Sequence, residues 1–204
     1  MFTVMKTRRY ELKQRAARQA ETRRRIVEAV VALHREVGPA RTTISAIAER
    51  AGVERLTVYR HFADEATLFA ACSALFRDEA RPPEPAAWAG IRDPAARLRA
   101  ALVAFYAYYR RGEDMIANVR RDAPQIPALA AVIAPWGEFV RAVRDELLQG
   151  WGARGRARAR LAAAIGHALH FDTWRSLARG EGLADADAAE LMVGLATAAA
   201  KRRG

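Results

Sequence analysis

Between Glu54 and Phe62 the chain reads ERLTVYRHF, placing Arg55, Thr57, Tyr59, Arg60 and His61 as donors on one short helical pattern. Phosphate oxygens accept hydrogen bonds from each of these residue types. An arginine can also meet the guanine edge in the major groove through two parallel bonds. Val58 and Phe62 supply the apolar edge that holds such a helix, and Leu56 is assigned both an inward turn beside them and a place in the groove-facing set. With Thr43, the candidate DNA-contacting residues are therefore Thr43, Arg55, Leu56, Thr57, Tyr59, Arg60 and His61.

The preceding stretch must present these donors. Ile44, Ile47 and Ala48 recur at helical spacing behind Thr43, whose hydroxyl is suited to accept a backbone N–H at a helix start. Gly52 then ends the element, as a reversal of about 90–120° within three or four residues requires. Together these features make a helix-turn-helix, for which the competing reading is a surface helix hairpin with solvated charges.

The stretch resembles the DNA-binding domain of TetR-type (TetR/AcrR) transcriptional regulators. The residues carrying the resemblance are Thr43, Ile47-Ala48, Ala51-Gly52-Val53, Tyr59-Arg60-His61-Phe62, and then Asp64 and Leu68. It covers roughly residues 20–70; the remainder is similar only in its helical layout. Departures are Leu56, where the family commonly has a small residue, and Glu54, where it has Ser. Ala63-Asp64-Glu65-Ala66 also lacks the Lys that often touches phosphate.

Charge agrees with a polyanionic partner. Residues 1–62 hold 14 Lys and Arg against 6 Asp and Glu, whereas residues 63–204 hold 20 against 17, within a net charge of +11. Neutralising phosphates releases condensed counterions, so binding driven by such a field is strongly salt-dependent. Residues 1–19 form a basic arm containing Arg8-Arg9, with Arg23-Arg24-Arg25 just beyond it. It is read as a minor-groove arm or as a solvated terminus. No signal peptide or membrane span is expected, and the single Cys72 lies on an apolar helix face, so the expected location is the cytoplasm.

The whole chain reads as all-α. The expected domains are the arm (1–19), a helix-turn-helix domain (20–63) and a helical regulatory and dimerisation domain (64–204). The first helix is expected from about Ala20 to Val37 and a connecting helix from Asp64 to about Arg81. Further helices are expected from Asp93-Pro94 through Tyr109, over Asp114–Arg121, over Pro127–Leu148 with a kink or break at Pro135, over Arg154–Ala178, and over Asp185–Lys201. The resemblance implies a dimer built from the last two helices of each partner, through Leu161, Ala164, Leu169, Leu191, Leu195 and Ala198.

Aromatic residues concentrate in the third domain. Phe105, Tyr109, Trp136, Phe139, His167, Phe171 and Trp174 are the candidate lining of an apolar ligand cavity, against the alternative of an ordinary aromatic core. His167, Phe171, Trp174 and Ala178 recur at i, i+4, i+7 and i+11 and are expected to share one face. The His167/His170 pair lacks further ligands for a metal. No nucleophile motif, paired carboxylate site or glycine-rich phosphate loop appears, so no catalytic residue, metal or cofactor is assigned and the chain is not expected to be an enzyme. The expected function is a homodimeric regulator, a repressor released from a palindromic double-stranded operator by a small hydrophobic effector. The alternatives are an effector-independent dimeric DNA-binding protein and a helical enzyme or membrane-surface protein.

Overall fold

A computed structural model describes residues 2–201, with side chains at Tyr10 and from Leu12 onward. All regular elements in this range are helical. In chain order they are α1 (Phe2–Glu36), α2 (Ile44–Ala51), α3 (Arg55–His61), α4 (Glu65–Ala80), α5 (Ala86–Ala89) and α6 (Pro94–Asp122). There follow α7 (Pro127–Leu147), α8 (Gly155–Ala168), α9 (Phe171–Arg175) and α10 (Asp185–Ala200). Two compact units result: residues 1–79 with 114–132, and residues 80–113 with 133–204.

Local chemistry sets several boundaries. Thr43 Oγ1 accepts the Ala46 N–H at 3.1 Å, and Asp64 Oδ1 accepts the Thr67 N–H at 2.7 Å, starting α2 and α4. Asp93 does the same for α6 through the Ala96 N–H at 2.7 Å. Pro85 and Pro94 stand at the starts of α5 and α6, where a missing donor costs nothing.

In the first unit, Ile26, Val30 and Leu33 of α1 form a core with Ile47 and Ala48 of α2, Val58 and Phe62 around α3, and Leu68, Cys72 and Phe76 of α4. The last turns of α6 also belong to this unit. Asn118 Nδ2 donates to the carbonyls of His34 and Arg35 at 2.9 and 2.8 Å, and Arg121 Nη2 to that of Val37 at 3.1 Å, satisfying acceptors that the end of α1 leaves without intrahelical partners. Asp122, 4% exposed, accepts the Ala40 N–H at 3.0 Å.

Cys72 lies on the buried face expected for it, with Sγ 3.4 Å from His34 Nδ1. Burial pushes the thiol up to about 12 and the imidazole down to about 4. Because an unfolded chain protonates His34 near 6.5 and the folded one only near 4, this residue disfavours the folded state progressively as pH falls through that interval. His34→Leu is expected to flatten the dependence of the melting midpoint on pH between 6.5 and 4, measured by circular dichroism; an identical slope in both proteins would contradict the assignment.

The second unit is built around Trp88 of α5, Leu98, Leu102, Phe105, Tyr106 and Tyr109 of α6, Leu147 of α7, Leu161 and Ile165 of α8, and Phe171 and Trp174 of α9. Surface ion pairs cross it, including Arg110 with Asp185 at 2.6 Å and Arg179 with Glu113 at 2.6 Å.

Several expectations are corrected. Helix α1 begins at Phe2, so residues 10–19, expected as an arm, are helical. No Gly or Pro interrupts the Arg-, Gln- and Ala-rich stretch before Glu36, and these are good helix formers. The Arg8 and Arg9 side chains lie outside the described residues. The segment Asp114–Arg121 is the end of α6 and not a separate helix. Helix α7 runs through Pro135, which is exposed beside an exposed Ala131, so the carbonyl freed by the missing N–H faces water.

The expected helix Arg154–Ala178 breaks after Ala168. The hydroxyls of Tyr106 and Tyr109 donate to the carbonyls of Ala168 and Leu169 at 3.0 and 2.6 Å, and the chain restarts at Phe171. A π-helical turn follows over Ser176–Gly180. Leu161 and Leu169 are fully buried in their own unit, which removes them from the expected dimer surface. Leu191 and Leu195 remain about half exposed.

Candidate nucleic-acid interface

Helix α3 is held by its apolar side. Val58 and the adjoining Phe62 are buried, and the Arg23 guanidinium stands over the Phe62 ring at 4.7 Å. Its entry is set by Gly52, which ends α2 in the left-handed conformation at φ 63° and ψ 43°. The Gly52 N–H returns to the Ala48 and Glu49 carbonyls, while Arg25 of α1 donates to the carbonyls of Ala51 and Gly52. The angle between α2 and α3 is thus fastened from α1 as well as by the turn.

With Val58 and Phe62 turned in, Arg55, Leu56, Tyr59 and Arg60 are exposed. At 100° per residue these four span roughly 140° of the helix circumference, one continuous outward arc. Tyr59 is 50% exposed and Leu56 66%, so the inward reading of Leu56 is overturned and its groove-facing reading retained. Leu56 precedes Val58 by two residues, about 200° around the helix, so it points away from the buried side. Thr57 and His61 flank the arc half-buried.

Arg60 Nη2 donates to Thr57 Oγ1 at 2.9 Å, which orients its guanidinium along the helix. Arg55, Tyr59 and His61 have no hydrogen-bond partner among the described residues, leaving their donors directed to whatever the surface meets. Thr43 is exposed, but its hydroxyl oxygen is engaged in capping α2, so only its O–H remains to donate. Nearby, Arg50 pairs with Glu36 through bonds of 2.8 and 2.7 Å, and the guanidinium holds that carboxyl below the usual range.

The candidate ligand-lining residues lie in the second unit and divide by burial. Phe105, Tyr109, Phe171 and Trp174 are buried, Trp136 and Phe139 half-buried, and His167 exposed. Phe105 stacks on Phe139 at 6.1 Å and 13°, and lies 5.9 Å from Trp136, while Tyr109 meets Phe171 edge-on at 5.4 Å and Trp174 at 6.0 Å. Because the chain breaks at Leu169-His170, His167 does not share their face; its ring nitrogens lie 3.3 and 3.4 Å from Thr173 Oγ1. His170 Nδ1 lies 3.4 Å from Asp172, and no group of three His, Cys, Asp or Glu suited to a metal occurs among the described residues.

Sequence reasoning missed Trp88. It sits between Pro82-Pro83 and Pro94, a stretch to which the sequence pattern assigns no helix, yet it is fully buried with its ring 6.2 Å from Phe105. A lone tryptophan in a proline-rich stretch was the available signal, since so large an apolar surface is seldom left in water.

Residues 26–72 match the family described as bacterial regulatory proteins, tetR family. A transcriptional regulator from Rhodococcus sp. Rha1 has a similar fold, with a TM-score of 0.62 at 22% identity, covering 89% of this chain and 99% of that one. A protein from Mesorhizobium loti described as a TetR-family transcriptional regulator gives 0.60 at 18%, covering 89% and 96%. A TetR transcription regulator from Haloarcula marismortui gives 0.55 at 20%, covering 89% and 97%. No curated protein sequence matches.

Proposed function

We propose that residues 26–72, which match the tetR family, form a DNA-binding head, and that this chain represses transcription as a homodimer on a palindromic double-stranded operator and leaves it when a small hydrophobic ligand binds the second unit. The observation that carries the DNA-binding part is the outward arc of Arg55, Leu56, Tyr59 and Arg60 on a helix pinned by Val58 and Phe62. One helix-turn-helix reads only a few base pairs, and specific affinity comes from two half-sites about 34–36 Å apart. The pairing surface is supported by α10, which buries Met192, Val193 and Ala196 and leaves Leu191, Leu195 and Ala198 exposed at helical spacing. No described helix is long and apolar enough to cross a membrane, and the proposed site of action is the cytoplasm.

Coupling would pass along α6, one uninterrupted helix that begins in the second unit and ends in the first, where Asn118, Arg121 and Asp122 hold the end of α1 and the turn after it. A ligand acts on DNA binding only as far as it prefers the arrangement that does not fit the operator.

The test is gel-shift titration at fixed salt on a duplex enriched by in vitro selection and on its scrambled counterpart. Tyr59→Ala or His61→Ala is expected to weaken binding to both duplexes. Arg55→Ala or Arg60→Ala is expected to narrow the difference between them by about 1–3 kcal/mol. Unaltered affinity in all four variants would sink the assignment.

One observation favours the effector-independent reading: Tyr106, Tyr109 and Trp174 spend their polar tips on Ala168 O, Leu169 O and Asp185 Oδ1. Thermal stabilisation by a library of hydrophobic compounds separates the two readings, because only a ligand-binding second unit melts higher with added compound.

A further inference from the structure

We propose that the N-terminal extension of α1 is a rigid phosphate-binding rod that runs along the duplex backbone flanking the half-site read by α3. This rests on the DNA-binding reading above and extends its footprint. Among its described residues helix α1 buries none before Ile26, so those from Leu12 to Arg25 extend as helix outside the core that α1 shares with α2 and α4. At 1.5 Å per residue that is about 20 Å of rod.

The charges on this rod are not balanced. Residues 12–25 hold Lys13, Arg15, Arg18, Arg23, Arg24 and Arg25 against Glu21 alone. Arg24 is committed to Glu21 at 2.6 Å and to Glu28, Arg23 to the Phe62 ring, and Arg25 to the α2–α3 turn. Lys13, Arg15 and Arg18 are exposed and have no ion pair or side-chain hydrogen bond among the described residues. Arg15, Arg18 and Arg25 recur at i, i+3 and i+10, hence on one stripe, and the stripe's inner end is fastened to the turn that launches α3. Leading away from the recognition helix, the Arg15 and Arg18 guanidinium groups, without a side-chain partner among the described residues, complement a polyanion.

The helical form decides which part of the duplex is met. An α-helix with its side chains is about 10–12 Å across, while the minor groove is about 6 Å wide, so this extension cannot enter it as an extended arm would. The major groove of the half-site is taken by α3. The accessible target is the phosphate backbone beside it.

The test compares the wild-type chain with the Arg15→Gln/Arg18→Gln variant on a duplex enriched by in vitro selection, with and without about one helical turn (about 10 base pairs) of flanking DNA on each side. On the flanked duplex the variant is expected to lower the magnitude of the slope of log K against log salt by about 1.8, so that its loss of affinity between 50 and 200 mM salt is about tenfold smaller than the wild type's. On the duplex without flanks the two proteins are expected to show the same slope. Arg15→Lys/Arg18→Lys should restore the wild-type slope, since a phosphate accepts either cation.

Equal slopes on the flanked duplex overturn the proposal while leaving the regulator reading intact. So does an equal drop on both duplexes, or a change in oligomeric state in the Gln variant that accounts for its weaker binding. Failure of the wild-type chain to select any duplex sinks both.

Discussion

Alanine in place of Trp174 is expected to destabilise the chain by about 3–5 kcal/mol, the cost of removing a fully buried indole whose site cannot collapse. The ring is fixed on every side. Tyr109 and Phe171 pack against it at 6.0 and 5.6 Å, the guanidiniums of Arg110 and Arg179 stand 5.8 and 5.7 Å from its centre, and its N–H donates to Asp185 Oδ1 at 2.8 Å. For a chain of this size the loss corresponds to a fall in melting midpoint of roughly 6–20 °C. Trp174→Phe, which keeps most of the apolar bulk but not the N–H, is expected to fall by only about a third as much. The readout is thermal unfolding followed by circular dichroism. A midpoint unmoved by alanine would mean that the ring borders open space, which would favour a preformed ligand cavity over a packed core.

Asp122→Ala is the second large effect. This carboxylate accepts the Ala40 N–H at 3.0 Å and the Arg121 Nε–H at 2.7 Å, and it is nearly inaccessible although Arg121 is half exposed. Its loss strands a backbone donor in the turn after α1 and releases the guanidinium that binds Val37 O, for a cost of about 2–3 kcal/mol. The turn has little slack. Gly38 sits at φ 90°, and a side chain there would collide with the Arg121 guanidinium and the Asp122 carboxylate.

The bond to Arg121 holds the Asp122 carboxyl below its ordinary value of 3.8, opposed by burial. A depressed carboxyl contributes stability above the value of the unfolded chain and loses it as pH falls through the folded one. The gap between wild type and Asp122→Ala should therefore be full near neutrality and narrow as pH falls below about 4, where the charge-dependent part is lost. A constant gap down to strong acid, seen in melts at stepped pH, would show that charge has no part in it.

The head was legible because its signals are local. The Thr43 cap, the Gly52 stop and the buried Val58 and Phe62 act within a few residues of one another, and each occurs where the sequence pattern places it. Leu56 was the exception. Its hydrophobicity argues for burial, but its position on α3, between Arg55 and Thr57 and opposite Val58, turns it to solvent. Trp88 was missed for the converse reason: the prolines around it forbid long helices yet permit the single turn that carries its ring into the core.

By itself the amino-acid order determined that this protein is helical, where its basic end lies, and which short helix carries donors outward. Period, caps and charge are properties of neighbouring residues and need no partner in space. Tertiary structure alone decided that α6 runs unbroken to Asp122, where Asn118 and Asp122 take up backbone groups near the end of α1, and that α8 stops at Ala168. Nothing near Leu169 marks a helix end; Ala168 and Leu169 can leave their carbonyls outside a helix because Tyr106 and Tyr109, some sixty residues earlier, donate to them. A buried carbonyl must be satisfied somewhere, and where the satisfying donor is distant in sequence only the folded chain reveals the break.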